Sequence, residues 1–329
     1  MTTIALPQII IQSETPVALA VRQGLAAHPR SLPAWLFYDA AGSHLFDQIT
    51  HLPEYYLTRT ERAIFAANAS DIIENALQAS DLTRLRIAEL GAGSADKTRL
   101  LLKAAIDYQE TLFYEPVDVS ASALQTARQR IEREIPGVHV LPRVMDYTRG
   151  LELYPAAPGE RRMVLYIGSS IGNFEPHQAA GILEIIRAGL DPGDTLLLGV
   201  DLQKDESTLL AAYDDAAGVT ARFNLNMLAR LNRELAADFD LEAFAHRVVW
   251  NRAKSRIEMH LESMTTQQIQ IPALDLQLSF HEGERIHTEN SYKYAPGQVE
   301  AMLSAAGFAP QNTWTDERDW FAVCLASAQ

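Results

Sequence analysis

Leu85-Arg86-Ile87-Ala88-Glu89-Leu90-Gly91-Ala92-Gly93-Ser94 is the stretch that decides how this chain folds. The apolar run reads as a buried strand, and the two glycines read as a turn that opens a helix. Leu100, Leu101, Ala104, Ala105 and Tyr108 recur at three- and four-residue spacing and carry that helix, with Ser94 expected at its N-cap. Glycines at such a turn let backbone and ligand approach closely, so a nucleotide-like cofactor is the expected occupant. A dinucleotide fingerprint would place a third glycine near position 96, where this chain has Asp96, an anion that would face a pyrophosphate. S-adenosylmethionine, which has no phosphate, fits these residues better. The plain alternative is that the glycines serve only a tight turn.

Downstream, Thr111-Leu112-Phe113-Tyr114-Glu115-Pro116-Val117-Asp118-Val119-Ser120 reads as a second strand ending in an acid. Asp118 is the candidate ribose clamp, because a carboxylate there can accept from both ribose hydroxyls. Alone, it could equally cap the helix that begins near Ser120. A third strand over 139–145 ends in Asp146-Tyr147, an acid and an aromatic suited to an adenine. Three successive strand ends with an acid at or beside each strengthen the joint reading.

Composition agrees with an enzyme acting on small molecules. At 329 residues the chain is long for one simple core, so one large or two interleaved domains are expected. A formal charge of −14 without clustered Lys and Arg argues against nucleic acid. The single cysteine, Cys324, lies in an apolar run and reads as a buried, inert thiol; with no partner for a disulfide, a reducing, cytoplasmic location is expected. Residues 1–11 lack the features of a leader, and no segment has the ~20 apolar residues needed to span a bilayer. The nine histidines and one cysteine show no metal-ligand spacing.

Residues 15–80 read as mainly helical, with a break at Leu52-Pro53-Glu54, and strand-helix alternation over 82–202 implies a parallel sheet. Residues 163–167 and 195–200 are its fourth and fifth strands, separated by a helix over 178–189. Residues 203–245 read as helical; 256–262 and 269–280 alternate apolar and polar, as antiparallel strands with one buried face do. A helix over 296–306 and a strand over 320–325 are expected to return to the main sheet. The expected fold is α/β: a Rossmann-like methyltransferase core over 62–202 and 294–329, with a second α+β substrate-binding domain from 1–61 and 203–293.

Longer strings carry more specific information. Ser31-Leu32-Pro33 with Phe37-Tyr38-Asp39, Leu45-Phe46-Asp47-Gln48-Ile49-Thr50, Leu52-Pro53-Glu54-Tyr55-Tyr56-Leu57-Thr58-Arg59-Thr60-Glu61, Gly168-Ser169-Ser170-Ile171-Gly172-Asn173-Phe174 and Tyr213-Asp214-Asp215-Ala216-Ala217-Gly218-Val219-Thr220 lie along nearly the whole chain. In these strings it resembles the histidine-specific N-alpha-methyltransferases of ergothioneine biosynthesis, which use S-adenosylmethionine to trimethylate the amino group of L-histidine, giving hercynine. The resemblance implies a cofactor site of Gly91, Lys97, Asp118, Asp146 and Tyr147. It implies a substrate site of Tyr55, Asn173, Tyr213, Glu289 and Ser291, with Met259 at the imidazole end. Where the family commonly has Glu-Val-Ser-Cys-Lys-Phe, this chain has Glu289-Asn290-Ser291-Tyr292-Lys293-Tyr294, keeping the acid and the serine.

Elementary chemistry supports these positions. On a strand, Glu289 and Ser291 fall on one face while Asn290 points away. Neutral imidazole offers one N–H donor and one bare acceptor, which a carboxylate and a hydroxyl can satisfy together. Tyr55, Asn173 and Tyr213 suit the carboxylate and amine of a zwitterion, and Tyr38 could add another hydroxyl; Tyr38 and Asn173 are the candidates for positioning the amine. Tyrosine faces near a developing ammonium would add cation–π stabilisation. The alternatives are an enzyme of the same fold that methylates another amino acid, such as tryptophan, and a relative that binds small molecules without turnover.

Overall fold

The computed structural model describes residues 15–78, 84–93 and 95–329. The expectations for Ser94 and for residues 1–11 lie outside them. The chain divides into two compact units, one from residues 1–47, 217–248 and 259–289, the other from 48–216, 249–258 and 290–329. The helix Tyr56–Gln78 crosses the boundary expected at 61/62 and lies whole in the second unit.

The second unit has the expected Rossmann-like core. Its sheet runs in the order Phe308–Thr315, Phe321–Ala328, Thr195–Asp201, Glu160–Tyr166, Arg84–Leu90, Leu112–Asp118, Val138–Val140. From Thr195–Asp201 to Val138–Val140 all pairings are parallel; the two strands at the other end pair antiparallel. Strands covered on both faces are mostly apolar, and charged residues inside them are paired, as Arg86 of Arg84–Leu90 is with Glu160 at 3.3 Å. One face packs against the helices Tyr56–Gln78, Arg99–Tyr108 and Ala121–Glu134, the other against Pro176–Ala188 and Gln298–Ala305. The chain leaves Arg84–Leu90 toward one side of the sheet and later returns on its other side with Glu160–Tyr166. That reversal opens a crevice at the carboxyl ends of these strands, where ligands of such sheets bind.

Several elements differ from expectation. The strand over 139–145 is broken into Val138–Val140 and Arg143–Val144, because Pro142 lacks the N–H that a continuous ladder needs. Residues 203–245 are not helical throughout: α-helices cover Glu206–Tyr213 and Val219–Leu235, a short 3-10 turn covers Leu241–Ala243, and a strand, Phe244–Asn251, begins before that range ends. The edge strand Phe308–Thr315 was not anticipated. It is polar, mostly exposed, and shifts register between Pro310 and Asn312, which an edge tolerates.

The first unit mixes helices and strands. Its helix Pro16–Ala26 is capped by Thr15, whose Oγ1 accepts from the Ala18 N–H at 3.2 Å. Its strands include Arg30–Ser31, paired in parallel with Ile286 and His287, and the hairpin Gln267–Ile271 with Leu276–Phe280. Cys324, in the second unit, is buried, and burial pushes its thiol up to about 11, as suits an inert side chain.

Candidate active site

The glycine loop follows Arg84–Leu90 directly. Gly91 and Gly93 both have left-handed backbone, with φ of +67° and +50°, which a side chain would strain. The N–H groups of Gly91 and Ala92 donate to Val117 O at 2.8 and 3.2 Å, tying the loop to the end of the neighbouring strand. There Asp118 Oδ2 accepts from the Gly93 N–H at 3.1 Å and Oδ1 from the Ser120 N–H at 2.9 Å. The half-buried carboxylate is therefore fixed in orientation, and each oxygen keeps lone-pair capacity for a hydroxyl. Residues so arranged fit S-adenosylmethionine, whose ribose offers two adjacent hydroxyls and whose lack of phosphate suits an acid beside the loop.

Asp96 turns toward arginines, 2.7 Å from Arg99 and 2.7 Å from Arg130. The helix opens at Arg99, with Thr98 at the N-cap position; the Thr98 hydroxyl does not cap it but donates to Glu89 at 2.7 and 2.8 Å. Glu89 also accepts from the Tyr114 hydroxyl. Burial drives Glu89 up to about 7, against the lowering effect of these two donors.

Lys97 pairs with the wholly buried Glu61, which also accepts from the Gly168 N–H at 2.8 and 3.1 Å. Asp146 is exposed and caps its own short turn, accepting from Thr148 N at 3.1 Å and Thr148 Oγ1 at 2.6 Å. Tyr147 stacks edge-on against Tyr166, with centroids 5.6 Å apart, and its hydroxyl, pushed up to about 12 by burial, stays neutral at ordinary pH. Tyr147 also borders Gly91: a Cβ there would lie 3.9 Å from the Tyr147 hydroxyl.

Of the expected substrate residues, Tyr55, Asn173, Tyr213 and Ser291 belong to the second unit. Tyr55 and Tyr213 meet edge to face at 6.2 Å, and the Tyr213 hydroxyl lies 2.7 Å from Ser291 Oγ. Half-buried Asn173 ends the turn Ser170–Asn173, which approaches the strand Arg285–Tyr292 so closely that a Cβ on Gly172 would stand 3.0 Å from Tyr292 O. The Tyr292 hydroxyl donates to Glu175 at 2.7 Å and accepts from Arg256 at 2.7 Å.

Tyr38, Met259 and Glu289 belong to the first unit. Tyr38 is 39 % exposed, its ring edge-on to Phe46 and Phe223 at 5.6 and 5.8 Å. Met259 is buried on Arg256–Ser263, where its backbone oxygen accepts from Thr288 Oγ1 at 3.0 Å. Glu289 is half-buried on Arg285–Tyr292, two residues before Ser291, so alternation sets both side chains on one side of that strand.

Sequence reasoning missed a buried charge cluster in the second unit. Asp201, wholly buried, accepts from the Tyr56 hydroxyl at 2.7 and 3.0 Å and pairs with both Lys204 and Lys293. Burial lowers the Lys204 ammonium to about 8, opposed by the pull of Asp201. Only the end of a buried strand at Asp201, an acid where an apolar residue is the rule, hinted at this cluster.

The profile of a family described as histidine-specific, S-adenosylmethionine-dependent methyltransferase matches residues 17–328. The chain belongs to this family. It is 46 % identical to a histidine N-alpha-methyltransferase of Mycolicibacterium smegmatis over 306 residues, 93 % of each chain. With one from Mycobacterium tuberculosis it shares 44 % over 307 residues, again 93 % of each chain. A Neurospora crassa protein named ergothioneine biosynthesis protein 1 is 30 % identical over 92 % of this chain, which spans 34 % of that longer protein. Among the described residues no group of three or more His, Cys, Asp or Glu is placed to hold a metal ion, and no helix is long and apolar enough to cross a membrane.

Proposed function

We propose that the protein transfers methyl groups from S-adenosylmethionine to the α-amine of L-histidine three times, through the mono- and dimethyl forms, to give hercynine in the cytoplasm. What carries this reading is near full-length similarity to two relatives named for histidine N-alpha-methylation. S-adenosylmethionine supplies an electrophilic methyl group on a sulfonium. Gly91, Gly93 and Asp118 hold its adenosine, with Lys97, Asp146 and Tyr147 completing that side.

Tyr55, Asn173 and Tyr213 orient the zwitterion, and Glu289 and Ser291 address the imidazole, with Met259 as an apolar wall. The reaction is an in-line displacement by the amine lone pair, so positioning dominates the rate. Asn173 and Tyr38 orient the amine. An amide is no base, and the amine proton leaves before each transfer because only the neutral amine has a lone pair to give.

Incubation of the protein with S-adenosylmethionine and each amino acid in turn, read by mass spectrometry, tests the reading. Histidine should gain one, two and three methyl groups. Methylation of tryptophan in its place, or of nothing, would overturn it.

A further inference from the structure

The strand that carries Ser291 runs on into Lys293, 1 % exposed. Its Nζ lies 2.6 Å from Asp201 Oδ2, 2.9 Å from the Tyr213 hydroxyl and 2.8 Å from Ser291 Oγ. The two hydroxyls are themselves 2.7 Å apart. Asp201 already has a second cation, Lys204, which lies 2.8 Å from the Tyr56 hydroxyl and also feels the field of Asp316. Burying a second ammonium beside one carboxylate is costly, and neutralising Asp201 does not require it.

The hydrogen-bond inventory of the triangle suggests what Lys293 does. An ammonium has donors only, so neither hydroxyl can turn its proton toward Lys293 and each accepts from it. One hydroxyl donates to the other across the 2.7 Å contact. The proton of the second hydroxyl must therefore leave the triangle.

We propose that Lys293 is a positioning residue for substrate, obliging the Tyr213–Ser291 pair to present an O–H donor to an acceptor of the bound amino acid: a carboxylate oxygen or a bare ring nitrogen. Either hydroxyl can be the outward donor, because the bond between them can run in either direction, and the ligand selects which. The charge of Lys293 strengthens that donor at one remove. The inference rests on the amino-acid N-methylation proposed above.

Lys293→Met tests it, since the stem is kept and Asp201 retains Lys204. The KM for histidine should rise about tenfold, the difference between a charge-assisted and a neutral hydrogen bond. Affinity for S-adenosylmethionine, by calorimetry, should stay within about twofold. Lys293→Gln, whose amide can accept a hydroxyl proton, should show the same split and serves if the Met variant does not fold. In a Tyr213→Phe, Ser291→Ala background, Lys293→Met should add almost nothing, because its route to substrate is gone.

A purely structural role would weaken cofactor and amino-acid binding together and would add in full on that background; either result overturns the proposal, as does an unchanged KM in a folded variant. If the unaltered protein prefers another amino acid, the histidine reading fails, and the same split measured on that amino acid still decides the role of Lys293.

Discussion

Glu61 occupies the space that a side chain at Gly199 would fill: a Cβ there would stand 2.1 Å from Glu61 Oε1. The carboxylate has no easy retreat, being wholly buried and held by the Gly168 N–H and Lys97. Gly199→Ala should destabilise the protein by about 1–3 kcal/mol, as overpacking does, and should also weaken S-adenosylmethionine binding by disturbing Lys97. Denaturant unfolding and calorimetry read the two effects. A variant equal to the parent in both would mean that Glu61 moves freely.

Asp118→Ala should weaken S-adenosylmethionine binding by roughly 1.5–3 kcal/mol, the worth of hydrogen bonds to a charged acceptor. Histidine binding should change far less. Calorimetric titration of each ligand checks this, and an unchanged cofactor affinity would remove Asp118 from the ribose role.

Glu289→Ala should lower activity on histidine and raise relative activity on tryptophan, because it removes both a partner for an imidazole N–H and a carboxylate that penalises an indole. Met259→Val adds room at the cost of about 1 kcal/mol in stability. The double variant should shift the ratio of kcat/KM for the two amino acids further than either single change. A ratio held at the parental value in the folded double variant would take these residues out of selectivity.

Glu89 links stability to pH. Its folded value of about 7 lies above the ordinary 4.5, so between these values the folded state binds more protons than the unfolded chain. Stability from this group is present below pH 4.5 and is lost as pH rises toward 7. Glu89→Gln should therefore flatten the pH dependence of Tm across that window. Parallel Tm curves for parent and variant would show that Glu89 does not titrate there.

The parallel strands, the glycine loop and the place of Asp118 at the end of a strand were legible because each leaves a local mark: a mostly apolar run, a pair of glycines, an acid where that run stops. The polar edge strand Phe308–Thr315 leaves none, since nothing covers most of its side chains. Lys293, Lys204 and Asp201 were illegible for another reason. Two of them are close in sequence and the third is distant, and no periodicity says that charged residues meet in a buried place. Thr98 misleads in the opposite sense: it stands where a cap belongs, yet its hydroxyl serves Glu89. At Ser291 the string named the residue, but its bonds to Tyr213 and Lys293 became visible only in three dimensions.

The placement of Phe321–Ala328 between Thr195–Asp201 and Phe308–Thr315 sets a timetable for biosynthesis. Every residue of Thr195–Asp201 is buried in the finished sheet, and one side of that strand is paired only by Phe321–Ala328. A ribosome must add everything from Leu202 to Trp320 before that partner exists. Throughout this interval a bare apolar edge stands open on the nascent chain, the kind of surface that other strands join. An unfinished chain should therefore be open to strand pairing with other chains along this edge until Phe321–Ala328 is made.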